Sequence, residues 1–127
     1  SRELADQQLD IIAPGSWVRG PFPSDQGYSH APWWSSGNPH ANFYFVGGTS
    51  MAAPHVTGIV ALMLGKNPTL MQSQVESILK TTALPIAPGS MVVYDISPAP
   101  DFYTYAWSSD ATGSGLVQAN LAIAAVP

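Results

Sequence analysis

Residues 50–64, SMAAPHVTGIVALML, contain no charged side chain and place apolar groups on nearly every side of a helical projection. A helix of that kind cannot lie on a surface with one face in water. It has to be covered on most of its circumference, so the chain must supply or borrow structure on several sides of it. The residues before it, FYFVG at 43–47, are β-prone and read as a strand. Gly65, with Pro68 shortly after, marks the stop. The strongest local statement is therefore strand, glycine turn, buried helix, with Ser50 at the turn.

The remaining segments are arranged around that unit. LDIIA at 9–13, ended by Pro14-Gly15, reads as a short buried strand meeting a turn. Residues 16–42 are rich in Pro, Gly, Ser and aromatic side chains without a period and read as one long structured loop. A second helix is expected over about 72–82, with Val75, Ile78, Leu79 and Thr82 on one side and Gln72, Glu76 and Lys80 on another. Residues 85–114 read as irregular or as short strands, MVVYDI being the best candidate. A last helix is expected over about 115–125.

Charge bears on partners. Charged residues make up 9% of the chain, against about 25% in an average soluble protein. A surface so poor in charge is one built to be covered. A net charge of −4 with four basic residues argues against nucleic acid. No apolar run is long enough for a membrane span. The chain has no cysteine, which excludes disulfides and thiolate chemistry.

A strand, then Gly-Gly-Thr-Ser, then a helix puts Ser50 at or just inside a helix N-terminus. There the unpaired N–H groups of the first turn and the helix dipole favour developing negative charge. Gly47, Gly48, Ala52 and Ala53 keep the approach clear of side chains. The plain alternative is an N-cap, the commonest task of a serine before an apolar helix. The G-x-S-x-G elbow does not apply, because Ala52 stands at its last glycine.

GTSMAAPHVTGIVALM resembles the nucleophile motif of the subtilisin-like serine proteases, nearly position by position. IIAPG at 11–15 resembles the strand and turn that precede the nucleophile in that family. NPTLMQSQVESILKTTA at 67–83 resembles the helix that follows it, and DATGSGLVQANLAIA at 110–124 the closing segment of the catalytic domain. The four segments keep the family's order. The resemblance implies an α/β fold, a parallel sheet flanked by helices, of which residues 1–127 form the C-terminal portion. It implies a serine endopeptidase with Ser50 as nucleophile and the Ser50 N–H as oxyanion donor. Thr49 assists, Gly48 keeps the substrate path open, and Met51 is an oxidation-sensitive neighbour. His55, five residues past Ser50, corresponds to a structural histidine packed in the fold. Pro54 falls in the first turns, where proline costs least.

A serine hydroxyl needs an adjacent base, and the base needs a carboxylate to orient it. The family takes both from Asp-Thr-Gly-like and His-Gly-Thr-like motifs earlier in its sequence, and neither motif occurs here. Asp10 and His30 keep the order Asp, His, Ser with Ser50 but stand in no such motif. Asn38 mimics the family's side-chain oxyanion donor and reads as a turn residue. The expectation is an enzyme active only with an upstream portion of the same domain as partner, acting on peptide or protein substrates and secreted or extracellular. Ser1 then marks a cut within the enzyme or an artificial start. No cofactor is expected in the chemistry; structural calcium belongs to the complete enzyme, since no carboxylate cluster here has ligand spacing. Two alternatives stay open. One is an inactive fragment or pseudoenzyme; the other is a binding module using Tyr28, Trp33, Trp34, Phe43 and Tyr44, which could equally be packing under a loop or a wall for apolar substrate side chains. In the second helix Met71 replaces the usual Ser or Thr cap, with Gln74 still placed for the reciprocal contact.

Overall fold

The computed structural model describes residues 5–22, 32–35, 42–95 and 100–127, with residues 22, 32–35 and 42–45 described as backbone. Tyr28, His30, Asn38 and His40 lie outside the described residues, as do the side chains of Trp33, Trp34, Phe43 and Tyr44. The chain forms two compact units, residues 13–58 and residues 1–12 with 59–127.

In the first of these, β1 (Val18–Phe22), β2 (Pro32–Ser35) and β3 (Asn42–Val46) make an antiparallel sheet in the order β1-β3-β2. The expected strand at 43–47 is β3, one residue earlier. The expected long loop at 16–42 is corrected, because it holds β1 and β2. Both were hidden by composition: they are edge strands of five and four residues, and each carries a proline. Edge strands tolerate proline because one row of their N–H groups needs no partner in the sheet. Strands this short also show no measurable period.

The helix α1 runs over Thr49–Lys66, against the expected 50–64, and the division between units falls within it, between Gly58 and Ile59. Pro54 lies inside it, where its missing N–H removes the bond that would reach the Ser50 carbonyl. Beyond Lys66, Asn67 folds the chain back, its Oδ1 accepting from the N–H and hydroxyl of Thr69 at 3.0 and 2.7 Å.

The second unit has a core of Ile59, Met63, Val75, Leu79, Val117, Ala122 and Val126. Ile59 and Met63 on α1, and Val75 and Leu79 on α2 (Gln72–Thr81), are four residues apart, so each helix buries one stripe. The expected all-round burial of α1 is therefore corrected. Leu62 is 59% exposed and Leu64 37%, because the described residues pack against one side only. The face expected on α2 is the one observed, with Gln72 and Glu76 hydrogen-bonded to each other outside at 2.8 Å. Lys80 pairs with Asp10 at 2.7 Å, and its pKa is raised, first by that hydrogen bond.

At the start of α2 the Met71 N–H donates to Gln74 Oε1 at 2.9 Å, the reciprocal contact expected from the sequence. Met71 itself is 64% exposed, so a methionine here gains little from burial. Met71→Ser supplies a capping oxygen and should stabilise the fold by about 0.5–1 kcal/mol. A denaturant melt of the parent and variant checks this; a lower midpoint for the serine variant would refute it.

The strands β4 (Gly89–Asp95) and β5 (Asp101–Trp107) form an antiparallel hairpin, and MVVYDI falls largely in β4. LDIIA is corrected from a strand to a single parallel bridge, Ile12 with Leu116. Its other backbone bonds, such as Ser114 N–H to Asp10 O at 2.9 Å, tie it to a turn and not to a ladder. Leu116 also bridges Leu84 through two backbone bonds of 2.8 Å, which keeps it out of a helix. Hence α3 spans Ala119–Ala124 and not 115–125. Among the described residues the parallel part of the expected sheet is this one bridge, and the regular strands are antiparallel.

Candidate active site

β3 delivers the chain to Gly47 and Gly48, and the turn there is set by backbone contacts. The Gly48 N–H donates to the Gly15 carbonyl at 2.6 Å. Gly48 has φ +141°, a conformation open to glycine and strained for any other residue. Its own carbonyl accepts from the Met51 N–H at 2.9 Å, which starts the helix. Gly15 has to be glycine for a different reason: a Cβ there would lie 2.9 Å from the Gly48 carbonyl oxygen.

The helix thus begins at Thr49, and Ser50 is its second residue. An N-cap serine stands before the helix with its hydroxyl on an N–H of the first turn. Ser50 is inside the helix, is exposed, and its hydroxyl has no hydrogen-bond partner among the described residues. The capping alternative is therefore set aside. The Ser50 N–H is one of the first-turn donors that have no acceptor in their own helix. The partial positive charge of about half a unit at a helix N-terminus adds to it, and no acidic residue in the first turn offsets that charge. Thr49 and Gly48 are exposed and Met51 is half-buried. The structure brings all four expected site residues into one turn. An exposed hydroxyl beside a free donor can attack a carbonyl and hold the resulting oxyanion. It cannot activate itself.

His55 differs from expectation. It is exposed, and its Nδ1 donates to the Met51 carbonyl at 2.8 Å. It is hydrogen-bonded within its own helix, but the packing that the resemblance implies is not present among the described residues. Asp10, which with His30 and Ser50 keeps the family's order, is paired with Lys80. The Gly15–Gly48 clasp was missed from sequence; the Pro-Gly at 14–15 marked only a turn.

Gly15→Ala tests how far the site depends on that clasp. The added methyl meets a backbone oxygen that cannot rotate away, so Gly48 and the serine after it must shift. In a complete enzyme that uses Ser50, displacements well under an ångström are costly, and its kcat/KM should fall about tenfold or more. Parallel melting curves and peptide kinetics check it; unchanged kinetics would show that the clasp does not position the turn.

The chain matches the model of the Subtilase family (peptidase S8) over residues 2–119. It is 41% identical over 75 residues to alkaline elastase YaB of Bacillus sp. (strain YaB), covering 59% of this chain and 16% of that protein. It is 38% identical over 76 residues to subtilisin DY of Bacillus licheniformis, covering 60% of this chain and 22% of that protein. Among solved structures, fervidolysin from Fervidobacterium pennivorans, a keratinolytic enzyme related to subtilisin, superposes with a TM-score of 0.58. That match has 29% identity over 90% of this chain and 15% of fervidolysin. This chain belongs to the subtilase family, and its fold is a portion of the subtilisin-like α/β fold. The matches span 15–22% of the length of these relatives.

Proposed function

We propose that residues 1–127 are the C-terminal portion of a subtilisin-type catalytic domain and supply its nucleophile and one oxyanion donor. The observation that carries this reading is Ser50 itself: second residue of α1, exposed, with its hydroxyl unpartnered among the described residues, within a segment matched to the family. In the reaction the Ser50 hydroxyl gives its proton to the base and attacks the scissile carbonyl; the C–N bond then breaks, the amine leaves with that proton, and water hydrolyses the acyl-enzyme to the free acid and Ser50. The Ser50 N–H donates to the oxyanion at each tetrahedral stage, with Thr49 beside it. Gly48 offers a side-chain-free approach for the peptide backbone, and Met51 lies next to the reacting group. The base, its orienting carboxylate and the second oxyanion donor come from an upstream portion of the same domain, which is the chain's necessary partner.

Substrates are peptides or proteins, and the working environment is secreted or extracellular. Among the described residues, no helix is long and apolar enough to cross a membrane. Among the described residues, no group of three or more His, Cys, Asp or Glu side chains could hold a metal ion. We assign any structural calcium to the complete enzyme, and the acyl transfer is assigned to Ser50 with a general base.

An active-site-directed fluorophosphonate tests the proposal. It should label the complete enzyme at Ser50 and leave Ser50→Ala unlabelled. An enzyme that hydrolyses peptides yet carries the label on another residue would end the assignment. A folded complete enzyme that takes no label would favour the pseudoenzyme reading.

A further inference from the structure

Trp17 has no task in the chemistry, yet its backbone is the least expected in the described chain. It is the one non-glycine residue among those described with positive φ, at +53°. Bulky side chains avoid this region because Cβ crowds the backbone, and such strain persists only where the surroundings hold it. A glycine or asparagine would take the turn more easily. The usual return for a large aromatic, burial of its ring, is small here, since Trp17 is 56% exposed.

Its surroundings do hold it. On one side, Gly15 is fastened to Gly48 by the 2.6 Å hydrogen bond. A Cβ added to Gly47 would meet the Ser16 Cα at 4.0 Å, so the turn lies directly against the glycines that precede Ser50. On the other side, Val18 opens the ladder with β3 by pairing with Val46. Trp17 is therefore fixed between two backbone attachments, both to the segment that ends at the serine. An exposed indole is held, at a backbone cost, a few residues in space from the nucleophile turn.

We propose that Trp17 is a specificity-determining residue of this peptidase, contacting a large apolar side chain of the substrate beside the scissile bond. The proposal rests on the reading of Ser50 as nucleophile. A flat aromatic surface is suited to that contact: it offers wide apolar area, and an indole has few rotamers to lose on binding. The strained turn keeps the ring placed before substrate arrives.

The test uses the complete enzyme as parent, Trp17→Gly and Trp17→Phe. Peptides that differ only in the residues on either side of the cleaved bond are compared, large apolar against alanine. With Trp17→Gly, kcat/KM should fall tenfold or more for the large apolar residue at one of these positions, mainly through KM. The alanine peptide should change less than threefold. Trp17→Phe should restore most of the difference. Trp17→Gly should remain folded in a thermal melt, and a small fluorophosphonate should label Ser50 at the parent rate. A uniform loss across the peptides, or a lower melting temperature with discrimination unchanged, would overturn the proposal and make Trp17 a packing residue. Failure of the parent itself to be labelled removes the nucleophile reading, and with it this one. The label thus separates the two failures.

Discussion

With Ser50 replaced by alanine, kcat of the complete peptidase is expected to fall by about 10⁶-fold, a figure taken from removal of the nucleophile in subtilisin itself. The size follows from what is lost. No covalent intermediate can form, so the base has no hydroxyl to activate and the acyl group has no acceptor. The oxyanion donor on the Ser50 backbone survives the change, and the residual rate should come from it and from substrate binding alone. The fold should hardly notice. The Ser50 side chain is exposed and its hydroxyl has no hydrogen-bond partner among the described residues. A surface change of that kind is usually within about 0.5 kcal/mol. Peptide kinetics with a thermal melt of the same samples make the test. Retained turnover would remove the nucleophile from Ser50, whereas a collapsed fold would mean that the serine has a structural duty the geometry does not suggest.

Residues 1–127 purified alone should hydrolyse no peptide above the uncatalysed background, and addition of the upstream portion should restore turnover. Ser50 has no base at its hydroxyl among the described residues, and His55 is engaged through Nδ1 with the Met51 carbonyl. The isolated segment should also bind a hydrophobic dye or self-associate. Leu62 and Leu64 on α1 are exposed, as is Leu84, in a chain with few charges to keep such surface soluble. Dye binding should drop when the upstream portion is added, in step with the return of activity. Mass spectrometry must confirm that no upstream fragment accompanies the isolated sample. Ser50-dependent cleavage by that sample would place a base within this chain, His30 or His40 being the first to examine, and would end the proposal of a divided domain.

Long, local patterns are the most legible in this sequence. The helix that carries the serine, the α2 face of Val75, Ile78 and Leu79, and the Gln74 contact could all be read from spacing and end signals. The least legible elements are those whose outcome depends on partners. β1 and β2 carry proline and hold only four or five residues, so their pairing with β3 is what makes them strands. β5 lies in the stretch 85–114 that reads as irregular or as short strands, and its pairing with β4 is what fixes it as one. The outer side of α1 reads as buried from its apolar pattern, and His55 from the family resemblance alone. Whether they are covered depends on what lies against them. Of the site, the four contiguous residues were legible from a motif, but the clasp between Gly15 and Gly48 and the posture of Trp17 were not. Each joins positions about thirty residues apart in the chain, and no local signal spans that distance.

One feature at the far end of α1 bears on endurance. Lys66 Nζ donates to the carbonyls of Ile123 and Val126 at 3.1 and 2.8 Å, where α3 and its last turn need acceptors satisfied. A peptidase is always in the company of its own copies. A segment is cut only when it comes loose and fits, extended, into a neighbour's site, so the rate of self-digestion follows how often it comes loose. The amine at Lys66 ties residues 123–126 to the helix that carries Ser50, and in the proposed peptidase it should hold that stretch out of a neighbour's site.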